Sequence, residues 1–228
     1  MNNLYEYNGS TDLFFEEFLV NAKLFLDDNQ EQKLRLVYDF ALQKHGGTVR
    51  DLGEPFIMHP LRVAYLCLLF VNEDKEFDKK IYFELFSSAI LHDILEDTDT
   101  DKTELEFLFG LQISNDVSLL SMAKIPDLVM NALSEEQKIV LSRDQITRYY
   151  ENIYESDSDC AKIIKICDKV DNLNTIKGLF KRYDINGIKK YINRAKMLET
   201  YAAKYSPSLQ KNLQESIKAA KSSITLLN

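Results

Sequence analysis

Two of the three histidines in this chain, His59 and His92, sit beside features that a structural histidine would not require and that could serve to bind a metal ion. His92 and Asp93 are adjacent in Leu91-His92-Asp93-Ile94-Leu95-Glu96-Asp97. On a helix, neighbouring side chains leave the axis about 100° apart, close enough to converge on one ion. Glu96 and Asp97 follow one turn later on the same side. His59 opens a second helical stretch in Phe56-Ile57-Met58-His59-Pro60. Asp168 closes the apolar run Ile163-Ile164-Lys165-Ile166-Cys167-Asp168, where an inward carboxylate is costly unless it is paired or bound to metal. Together His59, His92, Asp93 and Asp168 supply nitrogen and oxygen ligands that suit Mn²⁺ or Fe²⁺; structural zinc more often takes thiolates. The remaining coordination positions would hold water and substrate. His45, next to Gly46-Gly47 at a helix end, reads as a partner for the helix C-terminal dipole and stays outside this set.

The elements that must position these residues are helices. Apolar residues recur at helical spacing nearly everywhere, as in Leu34, Val37, Phe40 and Ala41, and no run alternates strictly as a strand would. The pattern predicts helices at about 11–27, 30–45, 59–72, 79–96, 102–110, 134–155, 158–176, 184–204 and 208–226. The fold class is therefore all-α, a bundle of about eight to ten helices. Gly46-Gly47 and Gly110 mark helix ends, and Asp101 with Glu104 resembles a capping box. Residues 48–57 and 126–133 read as loops, and loops on a helical scaffold commonly carry ligand contacts. No Pro/Gly/Ser-rich linker divides the 228 residues, so a single domain is expected, with the C-terminal helices over 184–226 packed on the rest.

Composition narrows the partners. Lys+Arg total 28 against 36 Asp+Glu, a formal net charge of −8, which repels a long nucleic acid over most of the surface. A small phosphorylated ligand remains compatible, because one basic pocket or one bound cation reverses the field locally. The basic run Lys177, Lys181, Arg182, Lys189, Lys190 and Arg194 reads as a solvated face, with a phosphate-binding rim as the alternative. Cys67, Cys160 and Cys167 form no C-x-x-C pair and read as core thiols in a reducing compartment. No leader pattern and no membrane-spanning run is seen, so a cytoplasmic protein is expected. Tyr149, Tyr150 and Tyr154 read as core or interface material. The helix at 208–226 must cover something, either the body of the protein or a second copy in a homodimer.

Three strings in order carry a family resemblance. Val49-Arg50-Asp51-Leu52-Gly53-Glu54-Pro55-Phe56-Ile57-Met58-His59-Pro60-Leu61, then Leu91-His92-Asp93-Ile94-Leu95-Glu96-Asp97-Thr98, then Lys165-Ile166-Cys167-Asp168-Lys169-Val170-Asp171-Asn172 resemble the signatures of the HD hydrolase domain of RelA/SpoT-type alarmone enzymes. The match runs from about Lys33 to Thr175. The resemblance implies an HD-domain bundle and a Mn²⁺-dependent hydrolase that removes pyrophosphate from the 3′ position of (p)ppGpp. It implies metal ligands at His59, His92, Asp93 and Asp168 and a catalytic acidic pair at Glu96 and Asp97. It also implies substrate contacts at Arg50 near the base, Lys124 on phosphate, and Asn172 and Thr175 on the ribose side. No synthetase domain follows the matched region, so the hydrolase-only small alarmone hydrolases are the nearer comparison.

The residue types fit that chemistry on physical grounds. A divalent ion lowers the pKa of bound water from about 15.7 toward about 7, and Glu96 or Asp97 would orient the water and move its proton. The chain departs from the alarmone pattern at Asp51 and Leu52, where a basic residue and Ser usually precede Gly-Glu-Pro, and at Asp171, where His often precedes Asn. Those departures keep two other readings open: an NADPH 2′-phosphatase or other nucleotide phosphohydrolase on the same site, and a non-catalytic nucleotide sensor on the same scaffold.

Overall fold

The computed structural model describes residues 4–5, 10–74 and 79–225. Residue 226, the expected end of the last helix, and most of the N-terminal stretch read for a leader lie outside the described residues. Among the described residues fourteen helices run in the order α1 Thr11–Ala22, α2 Asp28–His45, α3 Met58–Asp74, α4 Lys79–Leu91, α5 Ile94–Asp97, α6 Lys102–Phe109, α7 Leu111–Leu120, α8 Asp127–Asn131, α9 Glu135–Glu155, α10 Asp159–Asn174, α11 Ile176–Arg182, α12 Ile185–Met197, α13 Glu199–Tyr205 and α14 Pro207–Thr225. The only β feature among the described residues is an isolated antiparallel bridge between Val49 and Pro55. The chain is all-α, as its periodicity indicates.

There are more helices than the eight to ten expected, because local chemistry breaks the longer periodic runs. The run 11–27 stops at Ala22, since Asp27 caps the next helix: its carboxylate accepts from Gln30 N while the Gln30 side chain accepts from Asp27 N. The run 79–96 breaks at His92 and Asp93. Gly110, at φ 91°, ends α6 and starts α7, a helix the periodic reading missed. The run 184–204 divides at Leu198, and the loop expected at 126–133 contains the short α8. Ser134 and Gln137 form a complete capping box at the start of α9, whereas Asp101 accepts from Glu104 N without the reciprocal bond among the described contacts.

Helix α10 runs through the middle of the bundle. It packs against α3, α4, α7 and α14, and eleven of its sixteen residues are buried. Asp168, Lys169 and Asp171 are among those eleven, so the protein carries charge into its own core. α14 lies across α10, α12, α13 and α3, burying Leu209, Leu213, Ile217, Ala220 and Ile224 on the body of the protein. Cys67, Cys160 and Cys167 are free and buried.

His45 departs from its expected role. Its ring is 4% exposed and stacks on Phe56 with centroids 4.6 Å apart. Its Nε2 finds no hydrogen-bond partner among the described residues. Burial pushes its pKa down from the ordinary value near 6.5 to about 4. It is a neutral core ring and not a cationic dipole partner.

A depressed histidine pKa means that, between pH 6.5 and 4, the unfolded chain binds a proton that the native state refuses. Stability is therefore lost as pH falls through that window, by about 3 kcal/mol at most. In urea denaturation, His45→Phe is expected to be less acid-sensitive than wild type by a large part of that amount between pH 7 and pH 4; parallel pH profiles would refute the assignment.

Candidate metal centre

His59 sits at the start of α3, after the turn at Gly53 and the hydrogen bonds Arg50 N to Glu54 O (2.8 Å) and Phe56 N to Thr48 O (2.9 Å) that fold residues 48–56 back on themselves. Gly53 has φ 90°, a conformation that side chains rarely adopt, so the turn needs a glycine there. His92 and Asp93 occupy the break between α4 and α5 rather than a continuous helix. Asp93 has φ −97° and ψ −2°, which turns α5 aside and carries Glu96 and Asp97 toward His59 and Asp168. The convergence expected from helical spacing is thus produced by a kink.

The two imidazoles are oriented from behind. His92 Nδ1 donates to Ala89 O at 2.9 Å, and His59 Nδ1 donates to Asp171 Oδ2 at 2.6 Å. Both acceptors lack protons of their own, so each Nδ1 carries the hydrogen and each Nε2 faces the centre. His59 Nε2 lies 3.4 Å from both Asp93 Oδ2 and Asp168 Oδ1, and His92 Nε2 lies 3.1 Å from Asp93 Oδ1. His92 Nε2 is buried and, among the described residues, makes no hydrogen bond in spite of that proximity. Ligand atoms of His59, His92 and Asp93 all fall within 4.8 Å of one another. A buried, unsatisfied imidazole nitrogen facing carboxylate oxygens fits a divalent metal; Asp168 lies beside His59, outside that group of three.

The charges are strongly coupled. Burial and Arg50 push the His59 pKa down, yet Asp168, Asp171 and Asp93 together outweigh them and raise it to about 10. Asp93 and Asp168 are held well below the ordinary carboxylate range against the pull of burial, Asp93 by His92 and His59, Asp168 by Lys165 and His59. Asp171 is also lowered, chiefly by Arg62. Glu96 and Asp97 move the other way: burial and the Asp93 carboxylate raise both, while the bond from Met122 N (2.5 Å) partly offsets this at Glu96.

A cleft of about 460 Å³ opens on this centre, lined by His59, Asp93, Glu96, Asp97 and Asp168, with Arg50 and Asn172 also on its wall. Arg50 Nη2 donates to Asn172 Oδ1 at 2.7 Å, and the Asn172 amide donates to Asp168 Oδ1. The other two expected contacts stand apart from the cleft wall. Lys124 Nζ donates to Glu96 O at 2.7 Å, and the Thr175 hydroxyl donates to Asp171 O at 2.9 Å beside a smaller depression it shares with Arg50, Asp51 and Arg182.

Several residues here were not singled out by the sequence. Arg62, buried on α3, donates to Asp171 Oδ1 (2.7 Å) and grips Glu54 through two bonds of 2.7 Å. Asp171, read only as a departure, is the carboxylate that holds His59. Tyr149, Tyr150 and Tyr191 line the cleft rather than filling the core alone, as do Lys165 and Lys169. Of the basic run, Arg182 and Arg194 reach the cleft, while Lys177, Lys181, Lys189 and Lys190 are exposed. Asp51 is met by the Arg182 guanidinium, so its charge does not stand alone at the cleft edge.

A family model described as the HD domain matches residues 56–173, more than half of the chain, and spans His59, His92, Asp93 and Asp168. The chain belongs to the HD domain family. This HD protein is 29% identical over 168 residues to the bifunctional (p)ppGpp synthase/hydrolase SpoT of Escherichia coli K12, covering 72% of this chain and 21% of that one. It is 30% identical over 169 residues to a guanosine-3′,5′-bis(diphosphate) 3′-pyrophosphohydrolase of Spiroplasma citri, covering 72% and 20%. It thus spans about a fifth of the length of the curated relatives it matches. A solved structure described as a metazoan ortholog of SpoT that hydrolyzes ppGpp superposes with a TM-score of 0.60 at 23% identity, covering 82% of this chain and 94% of that one. The HD fold is shared along nearly all of that neighbour. Among the described residues no helix is long and apolar enough to cross a membrane.

Asp171→Asn keeps the shape of the side chain but removes the charge behind His59. It is expected to weaken divalent-metal binding, read by isothermal titration, by about 10–100-fold, the usual cost of losing such a supporting carboxylate. Wild-type affinity in a folded variant would show that Asp171 serves only to pair with Arg62.

Proposed function

We propose that this HD protein is a Mn²⁺-dependent, cytoplasmic (p)ppGpp 3′-pyrophosphohydrolase. The observation that carries the proposal is one cleft lined by His59, Asp93, Glu96, Asp97 and Asp168, with the buried His92 Nε2 behind it, 3.1 Å from Asp93 Oδ1. The names of the relatives supply the substrate class; the residues supply the reaction class.

His59, His92, Asp93 and Asp168 would hold the ion, which when bound acidifies water and offsets charge on the phosphoryl oxygens. Water adds to the inner phosphorus of the 3′-diphosphate, the bond from that phosphorus to the 3′ oxygen breaks, and the oxygen takes up a proton, giving GDP from ppGpp together with pyrophosphate. Glu96 and Asp97 carry the protons. Their raised pKa values bring each nearer to neutrality, so one can accept from water while the other donates to the leaving oxygen. Arg50 and Asn172, already bonded to each other on the cleft wall, would face base and ribose. Thr175 and Lys124 would contribute from the rim, Thr175 toward the ribose and Lys124 toward phosphate. The Arg182 partner of Asp51 removes the repulsion that this departure would otherwise present to an anion.

The test is product release by Mn²⁺-loaded protein from ppGpp, NADPH and nucleoside phosphates. Pyrophosphate from ppGpp is expected, and Glu96→Gln should lower the rate by about 10²–10⁴-fold with metal binding retained. Phosphate from NADPH with ppGpp left intact would move the assignment to a 2′-phosphatase, and no release from any substrate would point to a nucleotide sensor.

A further inference from the structure

One face of α10 carries more positive charge than its surroundings match. Lys165 and Lys169 are one turn apart, and both line the cleft. The Lys165 side chain is 11% exposed; its ammonium lies 2.9 Å from Asp168 Oδ2 and 5.0 Å from the centroid of the Tyr149 ring. Lys169 is 7% exposed, and its Nζ lies 4.0 Å from the centroid of Tyr191. Among the described residues Lys169 forms no ion pair. Arg194, half-buried, joins them on the cleft wall.

Among the described residues the only carboxylate in contact with either ammonium is Asp168, and Asp168 has other demands on it. Its Oδ1 faces His59 Nε2 at 3.4 Å and accepts from the Asn172 amide. Once Asp168 serves a bound cation, the two lysines keep tyrosine faces around them but little negative charge. Ring faces attract cations but do not neutralise them. Buried lysines are normally paired, so the missing charge is best supplied by a ligand. The place for it is fixed by contact: Lys165 touches the same carboxylate that faces His59, so an anion bound by these lysines lies directly beside the metal centre.

We propose that Lys165, Lys169 and Arg194 form a seat for the outer phosphoryl group of a diphosphate whose inner phosphorus sits at the metal centre. The seat makes the site selective for a diphosphate over a monophosphate. This deepens the proposed function and rests on it for the orientation of the substrate. It also assigns a use to Tyr149, Tyr150 and Tyr191, which wall the seat and exclude water from the ammonium groups.

The test is titration of the Mn²⁺-loaded protein with inorganic pyrophosphate and, separately, with inorganic phosphate. Wild type is expected to bind pyrophosphate about tenfold or more tightly than phosphate, since the second group gains charge-assisted hydrogen bonds. Lys169→Met should abolish most of that preference and leave phosphate and Mn²⁺ affinity unchanged. Arg194→Met, at a less buried position, should weaken pyrophosphate in the same direction and provides the reading if Lys169→Met does not fold. Equal affinity of wild type for the two anions, or an undiminished preference in a folded variant, overturns the seat. Because the titrants are inorganic, a wild-type preference for pyrophosphate that the variants lose, with ppGpp left uncleaved, would sink the nucleotide assignment and leave the diphosphate seat standing.

Discussion

Three carboxylates crowd one imidazole in the interior of this protein. Asp93, Asp168 and Asp171 all approach His59, whose side chain is 2% exposed. Buried carboxylates at this spacing repel one another and lose hydration, so they stay ionised only if cations are supplied within contact distance. The fold is arranged to supply them. Arg62 reaches Asp171 from α3, Lys165 reaches Asp168 from the preceding turn of α10, and the kink at His92 and Asp93 sets a second imidazole against Asp93. Removing one partner from such a buried pair typically costs about 3–5 kcal/mol, so the stability of the core and the readiness of the site to take a cation come from the same groups.

The network also explains how a protein with a net charge of −8 can hold an anionic substrate. Acidic residues dominate the chain, but the cleft wall carries Arg50, Lys165, Lys169, Arg182 and Arg194 alongside the carboxylates that would face a metal. The field that a phosphoryl group meets is set by groups within a few ångströms of it, with less water between them than at the surface. Glu54 and Asp171 meanwhile hold the Arg62 guanidinium away from the cleft, as part of the frame behind His59.

Much of this was legible in the sequence. His59, His92, Asp93 and Asp168 stand out because ionisable residues at the edge of apolar helical runs require a reason; the first three offer ligand atoms within 4.8 Å of one another, and Asp168 lies 3.4 Å from His59. The kink between α4 and α5 was not legible, because no Gly or Pro marks it and the apolar period continues across it. Helix α7 was hidden by Gly110, which ends one helix and starts the next. Arg62 gave no signal, since a single arginine in an amphipathic helix usually faces water. Asp171 looked like a defect in a motif, and its function as the carboxylate behind His59 depends on a contact between residues more than a hundred positions apart. Lys169 lacked a signal for the same reason: its burial, and its lack of a carboxylate partner among the described residues, are properties of packing.

The central claim is that these residues form a mononuclear metal centre with mixed nitrogen and oxygen ligation. Electron paramagnetic resonance of the protein titrated with Mn²⁺, with pulsed detection of imidazole nitrogen coupling, addresses it directly. One tightly held ion per chain, coupled to histidine nitrogen and lost in both His92→Ala and Asp168→Asn, is the expected result. Mn²⁺ bound with oxygen ligands alone, or bound equally well by both variants, would contradict it.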